Sequence, residues 1–262
     1  MTDDDSAAAP GVAWITGASS GIGAALARRM ARAGWRIAAS ARGAGDLERL
    51  AAAAPGPGSV HAYPLDITAP DAVADAVAAI ARDLGPIRQA VLNAGSHRPV
   101  DLRAPDAADF RALAELNLIG TVNCLQAVVP PMVARGDGRI AVVASLAGYR
   151  GLPTAGAYGM TKAGLINLAE AMRVELGRCG IVVQLVNPGF VRTPLTDRNA
   201  FPMPFLMEPD AAADAFYRGL RRDRFEIAFP WRFAALMKLL RLLPAPLAFA
   251  ATRRMLPRED RR

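Results

Sequence analysis

Cysteine, histidine and aromatic residues are scarce in this chain of 262 residues, which has two cysteines, two histidines and 6% aromatic residues. Cys124 and Cys179 form no framework of pairs, so we expect reduced, buried thiols in two separate helices rather than disulfides. His61 and His97 have no Cys-Cys spacing beside them, which argues against a metal site. The low aromatic content and the lack of a basic stripe on the core argue against nucleic acid as a partner.

Long uninterrupted hydrophobic runs are also missing. Residues 1–10 are acidic and contain no apolar segment, which predicts a disordered leader rather than a signal peptide. Residues 231–251 are apolar, but basic residues and prolines interrupt them, whereas a membrane-spanning helix takes about 20 apolar residues with few charges. We therefore expect a cytoplasmic protein without a transmembrane anchor.

Basic charge is concentrated near the C-terminus. Residues 218–262 contain twelve lysines and arginines against four acidic residues, and the preceding 217 residues carry a net charge of −1. Because this charge accompanies the apolar stretch, residues 231–262 predict a helical extension that contacts an anionic surface or an interface. Two interpretations stay open. Residues 231–251 lie peripherally on the inner face of a membrane, or they pack over the substrate pocket and against a partner subunit.

Short apolar runs alternate with alanine-rich segments through most of the sequence, of which 52% is hydrophobic. The runs predict strands at residues 12–16, 36–40, 60–65, 90–92, 139–144, 182–186 and 226–229. The segments between them predict helices at residues 22–33, 47–54, 71–84, 106–134, 155–179 and 209–220. Such alternation is typical of an α/β fold, a doubly wound sheet of about seven parallel strands with helices on both faces, which we place in one domain at residues 11–230.

Three glycines join the first strand to the first helix, in Thr16-Gly17-Ala18-Ser19-Ser20-Gly21-Ile22-Gly23. A backbone that turns so sharply and approaches a pyrophosphate closely needs residues without a Cβ. The helix that follows supplies amides and the positive end of its dipole. The loop therefore predicts a dinucleotide site with contacts from Gly17, Ser19, Ser20, Gly21, Ile22 and Gly23.

The second strand ends in Ser40-Ala41-Arg42, where an acidic residue would bind a ribose 2′-hydroxyl and repel a 2′-phosphate. No acid stands there, and a hydroxyl together with a guanidinium suits the phosphate. The sequence thus favours NADP(H) over NAD(H), with a solvated loop position for Arg42 as the alternative.

Residues after the third and fourth strands complete the predicted adenosine side of the site. Asp66, at the close of the third strand, either accepts a hydrogen bond from the adenine amino group or caps the next turn, and Ile67 follows it. Asn93-Ala94-Gly95 ends the fourth strand, where small residues leave room for the adenosine half of the cofactor.

Tyr158 and Lys162 are four residues apart in a predicted helix, and Ser145 lies upstream. Tyrosine has an ordinary pKa of about 10 and is a poor acid–base catalyst alone. A lysine on the same helix face favours the phenolate and brings the pKa toward the range of a general acid–base. Together with the glycine loop, the pair predicts hydride transfer to or from a nicotinamide.

The motifs resemble those of the short-chain dehydrogenase/reductase family, of the classical type, over residues 11–195. They occur in the family's order: Thr16-Gly17-x-x-x-Gly21-x-Gly23, Asn93-Ala94-Gly95, Asn117, Ser145, Tyr158-x-x-x-Lys162 and Pro188-Gly189. One departure is Leu92, where the family usually has a second asparagine. The resemblance implies a Rossmann-type fold, a homodimer or homotetramer, and a catalytic tetrad of Asn117, Ser145, Tyr158 and Lys162.

The resemblance also implies a role for each residue. Tyr158 exchanges the proton with the carbonyl or alcohol oxygen, and Ser145 hydrogen-bonds the same oxygen. Lys162 holds the nicotinamide ribose and lowers the tyrosine pKa, while Asn117 keeps a water in a proton relay that reaches Lys162. The cofactor contacts implied after the sixth strand are Pro188, Gly189, Val191 and, at the nicotinamide carboxamide, Thr193.

Substrate contacts are expected from the catalytic residues, from the loop after Ser145, from residues 190–210 and from the C-terminus. The apolar, proline-stiffened run 201–207 predicts a lid over an apolar pocket, or alternatively a loop packed on the protein's own helices. The predicted substrate residues are Ser145, Leu152, Tyr158, Phe190, Phe201 and Phe205.

The leading hypothesis is an NADP(H)-dependent enzyme that interconverts a lipophilic aldehyde or ketone and its alcohol, with Tyr158 as general acid–base and no metal. The alternative is a catalytically silent sensor or scaffold that binds the dinucleotide. The intact tetrad argues against this alternative, since a binding protein needs neither Asn117, Ser145 nor Tyr158.

Overall fold

Seven strands of the described residues form one parallel sheet. The computed structural model describes residues 10–54, 56–194, 196, 203–253 and 255–256, so residues 1–9 of the predicted leader and Phe201 lie outside the described residues. The strands are β1 (Val12–Thr16), β2 (Arg36–Ser40), β3 (Ser59–Ala62), β4 (Ile87–Leu92), β5 (Gly138–Val143), β6 (Ile181–Pro188) and β7 (Glu226–Phe229). Their order is β3-β2-β1-β4-β5-β6-β7, with every neighbouring pair parallel. The order reverses between β1 and β4, which opens a crevice at the carboxyl ends of these strands.

Helices connect the strands and cover both faces of the sheet. They are α1 (Gly21–Arg32), α2 (Ala44–Ala52), α3 (Pro70–Leu84), α4 (Ala107–Ala114), α5 (Gly120–Arg135), α6 (Gly156–Gly177), α7 (Pro209–Leu220), α8 (Trp231–Leu242) and α9 (Ala245–Arg253). A short 3₁₀ segment, Leu146–Gly148, follows β5. This arrangement is a Rossmann-type doubly wound sheet and confirms the predicted fold class.

Alternate side chains of each buried strand enter two separate apolar cores. In β1, Trp14 packs with α3, α5 and α6 on one face, while Ala13 and Ile15 pack with α1 and α7 on the other. Successive side chains of a strand point to opposite faces, so a strand covered on both faces is apolar at every position. The two cores hold the strand ends, from which the site residues emerge, in fixed positions.

The third strand is shorter than predicted. β3 ends at Ala62, because Pro64 has no N–H with which to continue the ladder. The chain still runs beside β2, since the amide of Leu65 donates to the carbonyl oxygen of Ala41 (2.9 Å). Asp66 therefore lies in the loop after the strand and does not close it.

The helix predicted at residues 106–134 is divided. A π-helical turn, Glu115–Ile119, joins α4 to α5 and places Asn117 at its centre. A π turn contains one more residue per hydrogen-bonded turn than an α-helix. The buried positions before and after it still recur every three or four residues, so the sequence pattern predicted one continuous helix. Gly120 begins α5 at a position where a Cβ would lie 2.7 Å from the Ile67 side chain.

Residues 107–135 together are long and apolar enough to cross a membrane, by length and composition alone. In the structure, Cys124, Val128 and Met132 of this stretch are buried in the core that also contains Trp14, and Leu113 is buried in a small third cluster with Val100 and Ala157. The core helix of a folded domain passes the same test, so this composition is weak evidence for a membrane span.

The two thiols differ in their surroundings. Cys124 is buried within α5, and burial raises its pKa to about 12. The prediction that Cys179 lies buried in a helix is wrong, because α6 ends at Gly177 and Cys179 is partly exposed in the turn that follows. The chain turns there through Gly180, whose φ of +77° favours glycine.

The C-terminal extension has two apolar sides. The inner side of α8 packs into the core through Phe233, Ala234, Met237 and Leu240. The outer side exposes Trp231, Leu239 and Leu242, which are 72%, 58% and 81% exposed. The inner side of α8 therefore packs on the protein itself, as one of the two interpretations of residues 231–251 expects. The outer side is apolar and exposed to solvent in this chain.

Candidate active site

A cleft opens at the carboxyl ends of the central strands and encloses about 420 Å³. Doubly wound sheets bind ligands at this place, where the strand order reverses, and the volume is typical of a ligand pocket. Every predicted cofactor residue except Gly23 lines the cleft. Ser145, Tyr158 and Lys162 line it too, so the structure brings the predicted chemical groups and the glycine loop together.

The glycine loop forms the floor at one end of the cleft. Gly17 and Gly21 have positive φ angles, +66° and +55°. A Cβ on Gly17 would lie 2.8 Å from the Cα of Ala94, and one on Gly21 would lie 2.7 Å from the Thr193 side chain. A Cβ on Gly23 would overlap the carbonyl oxygen of Gly17. Gly23 therefore allows α1 to pack closely against the loop and does not itself line the cleft. The bare backbone and the start of α1 make a cradle that fits a pyrophosphate.

Asn93 ties this loop to the fourth strand. Its Nδ2 donates to the carbonyl oxygens of Thr16 (3.1 Å) and Gly17 (3.2 Å). Its backbone amide donates to Thr16 Oγ1 (3.0 Å), as does the amide of Ala94 (3.1 Å). Asn93 therefore fixes the shape of the cradle in addition to lining the cleft.

Polar groups stand at the end of the cleft beyond β2. The Ser40 hydroxyl accepts a hydrogen bond from Trp14 Nε1 (3.0 Å), which leaves its own proton to donate to a ligand. Arg42 is exposed at the rim. Asp66 accepts from the amide (3.0 Å) and hydroxyl (2.8 Å) of Thr68, and these bonds lower its pKa. Asp66 thus caps its turn and also faces the cleft.

Tyr158 and Lys162 lie on one face of α6, opposite Ser145. Lys162 is buried, and its Nζ donates to the carbonyl oxygen of Val143 (2.9 Å). The same Nζ lies 5.6 Å from the centre of the Tyr158 ring. Ser145 accepts from the amide of Ala147 (3.1 Å), so it begins the 3₁₀ segment, and its hydroxyl donates to the carbonyl oxygen of Pro188 (3.4 Å).

Burial governs the protonation of both groups. Burial raises the pKa of Tyr158, while the nearby Ser145 hydroxyl acts in the lowering direction. Burial lowers the pKa of Lys162 to about 8. The net direction for Tyr158 is upward, opposite to the lowering that the sequence predicts, because burial outweighs the neighbouring groups. The Tyr158 hydroxyl is therefore protonated at neutral pH in this structure.

Asn117 is fully buried in the π turn and does not line the cleft. Its Oδ1 accepts from the amide of Ser96 (2.8 Å), and its Nδ2 donates to Ser96 O (3.0 Å) and Thr161 Oγ1 (3.0 Å). These bonds tie the turn to the loop after β4 and to α6 beside Lys162. Asn117 thus orders the walls of the site, and its water-relay role stays a prediction.

The sequence profile of short chain dehydrogenases matches residues 11–201. The chain belongs to this family. It is 38% identical over 244 residues to an uncharacterized oxidoreductase of Myxococcus xanthus, which covers 93% of this chain and 96% of the relative. It is 36% identical over 188 residues to a 3-oxoacyl-[acyl-carrier-protein] reductase of Thermotoga maritima, which covers 71% of this chain and 76% of the relative.

Solved structures resemble this short chain dehydrogenase over most of its length. A short-chain dehydrogenase from Sphingobium yanoikuyae in complex with NADPH matches with a TM-score of 0.78 and 30% identity, covering 95% of this chain and 98% of that one. An alcohol dehydrogenase from Thermococcus sibiricus complexed with 5-hydroxy-NADP matches with a TM-score of 0.76 and 27% identity, covering 84% and 95%. The predicted family is confirmed, and the protein is an oxidoreductase.

An aromatic cluster of this dehydrogenase borders the cleft. Phe233 of α8 stacks on Phe190 (5.5 Å between ring centres) and on Phe205 (6.0 Å). A Cβ on the cleft-lining Gly189 would lie 2.8 Å from the Phe233 ring. The structure thus brings two predicted substrate residues together, whereas Leu152 packs against the apolar core.

Two residues near the chemistry of this dehydrogenase, Phe233 and His97, are not among the substrate residues predicted from sequence. The His97 ring lies edge-on to Tyr158, with 4.9 Å between ring centres, and burial lowers its pKa. Its Nδ1 is buried without a hydrogen-bond partner in the described part of the chain. The spacing of Phe233, Met237 and Leu240 could have marked the inner side of α8. No local pattern places His97 beside Tyr158.

Proposed function

We propose that this dehydrogenase uses NADP(H) to interconvert a lipophilic aldehyde or ketone and its alcohol. The observation that carries the proposal is the convergence of Ser145, Tyr158 and Lys162 on the same cleft that the glycine loop lines. A nicotinamide bound there would supply or accept the hydride. The protein then has to position a carbonyl oxygen and exchange one proton with it.

Tyr158 is the proposed proton donor for reduction and acceptor for oxidation. Its raised pKa keeps the hydroxyl protonated at neutral pH, which is the form that reduction requires. Ser145 lines the same cleft, and its hydroxyl donates a hydrogen bond to the same substrate oxygen. Lys162, held by Val143, places its ammonium over the tyrosine ring and stabilises the phenolate that proton loss leaves.

The preference for NADP(H) rests on the end of the cleft beyond β2. Ser40 and Arg42 both line it and suit a 2′-phosphate. The solved relatives from Sphingobium yanoikuyae and Thermococcus sibiricus, with NADPH and 5-hydroxy-NADP, support this preference. NAD(H) stays the alternative cofactor.

The proposed substrate is lipophilic because the groups beyond the catalytic residues are apolar. Phe190, Phe205 and Phe233 form a continuous aromatic wall, and such a wall stabilises a bound hydrocarbon by removing its surface from water.

The outer side of α8 extends the proposal to assembly and location. Trp231, Leu239 and Leu242 are exposed there with Arg232 and Arg241. This combination suits a partner subunit in a homodimer or homotetramer, or a peripheral contact with an anionic membrane. Light scattering of the purified protein and co-sedimentation with phosphatidylglycerol vesicles at two salt concentrations separate the two.

The function is tested by titrating the protein with NADPH and NADH and then adding aldehydes and ketones of increasing chain length. We expect tighter binding of NADPH, and its oxidation by the longer carbonyl compounds. Tight binding without oxidation across the series would favour the silent sensor. If neither nucleotide binds, the proposal fails entirely.

Tyr158→Phe tests the proton transfer within this function. Removing the hydroxyl should lower kcat by on the order of 10²–10⁴-fold, the usual contribution of a general acid–base, with the dissociation constant for NADPH unchanged. Tyr217→Phe, which changes a buried tyrosine of α7 away from the cleft, is the matched control. Comparable turnover in both variants would remove Tyr158 from the reaction.

A further inference from the structure

A carboxylate of the last strand joins three segments that border the substrate end. One oxygen of Glu226, in β7, accepts hydrogen bonds from the Tyr149 hydroxyl and from Asn187 Nδ2 (2.8 Å). The other oxygen pairs with the ammonium of Lys238 in α8. Tyr149 follows the 3₁₀ segment that Ser145 begins, and Asn187 lies at the cleft end of β6. We call these four side chains the Glu226 cluster.

Three side chains of the Glu226 cluster are largely withdrawn from water, and the fourth, Lys238, is half-exposed. Asn187 is fully buried, Tyr149 is 7% exposed and the Glu226 side chain is 24% exposed. A buried carboxylate is costly unless it is paired and hydrogen-bonded. Burial alone would raise the pKa of Glu226, and the bonds from Lys238, Tyr149 and Asn187 together hold it below its ordinary value. The carboxylate therefore stays charged at neutral pH and keeps all its donors.

The same cluster links α8 to the sheet, because Lys238 of α8 pairs with Glu226 of β7. Lys238 is five residues after Phe233, about 7.5 Å along a rigid helix axis. Phe233 in turn packs against the cleft-lining Gly189 and stacks on Phe190, so it connects the aromatic wall to the border of the cleft. A shift of α8 would move this wall toward or away from a substrate held by Ser145 and Tyr158.

We propose that Glu226 is a positioning residue that sets the length of substrate the site accepts. It acts by holding α8 against the Ser145 segment and the end of β6, and it touches the substrate only through Phe233. This inference rests on the proposed function, since it assigns a size limit to the same pocket.

Two variants break the cluster in different ways. Lys238→Met keeps the apolar stem of a half-exposed side chain and removes only the ion pair, so folding is not at risk. Glu226→Gln keeps an acceptor for Tyr149 and Asn187 but turns an amide toward Lys238. Lys238→Arg restores the charge and serves as the rescue. Arg232→Met removes a charge from the same helix at a residue that stacks on Trp231 outside the cluster.

The first measurement is amide hydrogen exchange in the holoprotein with NADPH. The amides of residues 231–242 should exchange about tenfold faster in Lys238→Met and Glu226→Gln. In both variants the ion pair that links α8 to β7 is gone, and only the apolar packing of the helix is left. The amides of α7 should be unchanged, and Lys238→Arg and Arg232→Met should behave as the parent protein does. Unchanged exchange of α8 in both disruptive variants would overturn the proposal, whatever the enzyme's activity.

The second measurement is kcat/KM for carbonyl compounds of increasing length. Lys238→Met should change KM for the longest substrates by about tenfold, the effect of a methylene-sized misfit in a pocket. The values for short substrates, kcat, and the NADPH dissociation constant should stay the same. An unchanged length profile in an active enzyme would overturn this inference alone. Failure of the parent protein to turn over any substrate would instead remove the proposed function, and with it the assigned size limit.

Discussion

The two ends of the cleft are constructed differently. At the cofactor end, the main chain of the glycine loop is held by Asn93 and Thr16 through hydrogen bonds of 3.0–3.2 Å between adjacent strands. At the substrate end, the wall consists of the side chains Phe190, Phe205 and Phe233, which come from three separate segments. The cofactor end is therefore part of the fold itself. The substrate end is formed by side chains, which can differ between proteins that share the same fold.

This difference has an energetic consequence. A backbone cradle has no side chain that can yield, so a single added methyl group has to displace the loop. The aromatic wall belongs to a helix that can shift slightly on the sheet, so changes there should give graded effects. Substitutions at the two ends should accordingly differ in which binding step they disturb and by how much.

Gly17→Ala should give the largest effect of these substitutions. Its Cβ would lie 2.8 Å from the Cα of Ala94, and its φ of +66° is unfavourable for alanine by roughly 1–2 kcal/mol. The loop must then move off β4. We expect the NADPH dissociation constant, measured by fluorescence titration, to rise at least about a hundredfold, equivalent to roughly 2.8 kcal/mol.

Gly136→Ala is the control that separates the effect of backbone strain from the effect of a steric clash in Gly17→Ala. Gly136 has the same φ of +66°, but a Cβ there would meet nothing within 4 Å. This variant should lose a little stability and bind NADPH as the parent protein does. Equal loss of NADPH affinity in both variants would mean that backbone strain, and not contact with Ala94, limits the cradle.

Arg42→Ala tests whether the Arg42 side chain recognises the 2′-phosphate and so determines the preference for NADPH over NADH. Hydrogen bonds to charged groups are worth about 1.5–3 kcal/mol, so NADPH binding should weaken roughly ten- to hundredfold while NADH binding stays unchanged. Arg49→Ala removes the same charge from the exposed side of α2, where it pairs with Asp46. Equal weakening of both nucleotides by Arg42→Ala would make Arg42 a solvated loop residue.

The sequence also predicted which residues lie together at the cofactor end, although their contacts with a cofactor stay a prediction. Its residues follow strand ends in fixed order, and an apolar strand before Gly17 or Asn93 marks each position locally. The pair Tyr158 and Lys162 is equally local, because helical geometry puts residues four apart on one face. The direction of the Tyr158 pKa shift could not be predicted in this way, because the burial that raises this pKa arises from the whole fold.

The substrate end depends on contacts that no local pattern records. Glu226 meets Tyr149 from 77 residues away, and Phe233 meets Phe190 only because α8 lies over the end of β6. Asn117 sits in a π turn that leaves the apolar spacing of α4 and α5 unbroken. The spacing of Phe233, Met237 and Leu240 indicates one side of α8, but no local pattern shows that this side meets Phe190.

Lys162 lines the cleft beside Tyr158, and Lys162→Met should abolish turnover while it changes the stability of the protein only modestly. Burial lowers the pKa of this lysine from 10.5 to about 8, which corresponds to roughly 3 kcal/mol of unfavourable charge burial at neutral pH. Methionine removes this cost but leaves the Val143 carbonyl without its donor, at about 1–2 kcal/mol. The net gain should raise the melting temperature of the unliganded protein by a few degrees, at about 2–4 °C per kcal/mol.

The pH dependence identifies the source of that gain. Below pH 8 the folded and unfolded parent proteins both carry the charged lysine, and the full cost of burial is present. Between pH 8 and about 10.5 the unfolded state binds more protons than the folded state, so the parent gains stability as the pH rises. The advantage of Lys162→Met, measured by melting at several pH values, should therefore be largest below pH 8 and shrink above it. A difference independent of pH would show that the ammonium is already compensated in the folded protein, and that the site stores no electrostatic strain for a bound cofactor to relieve.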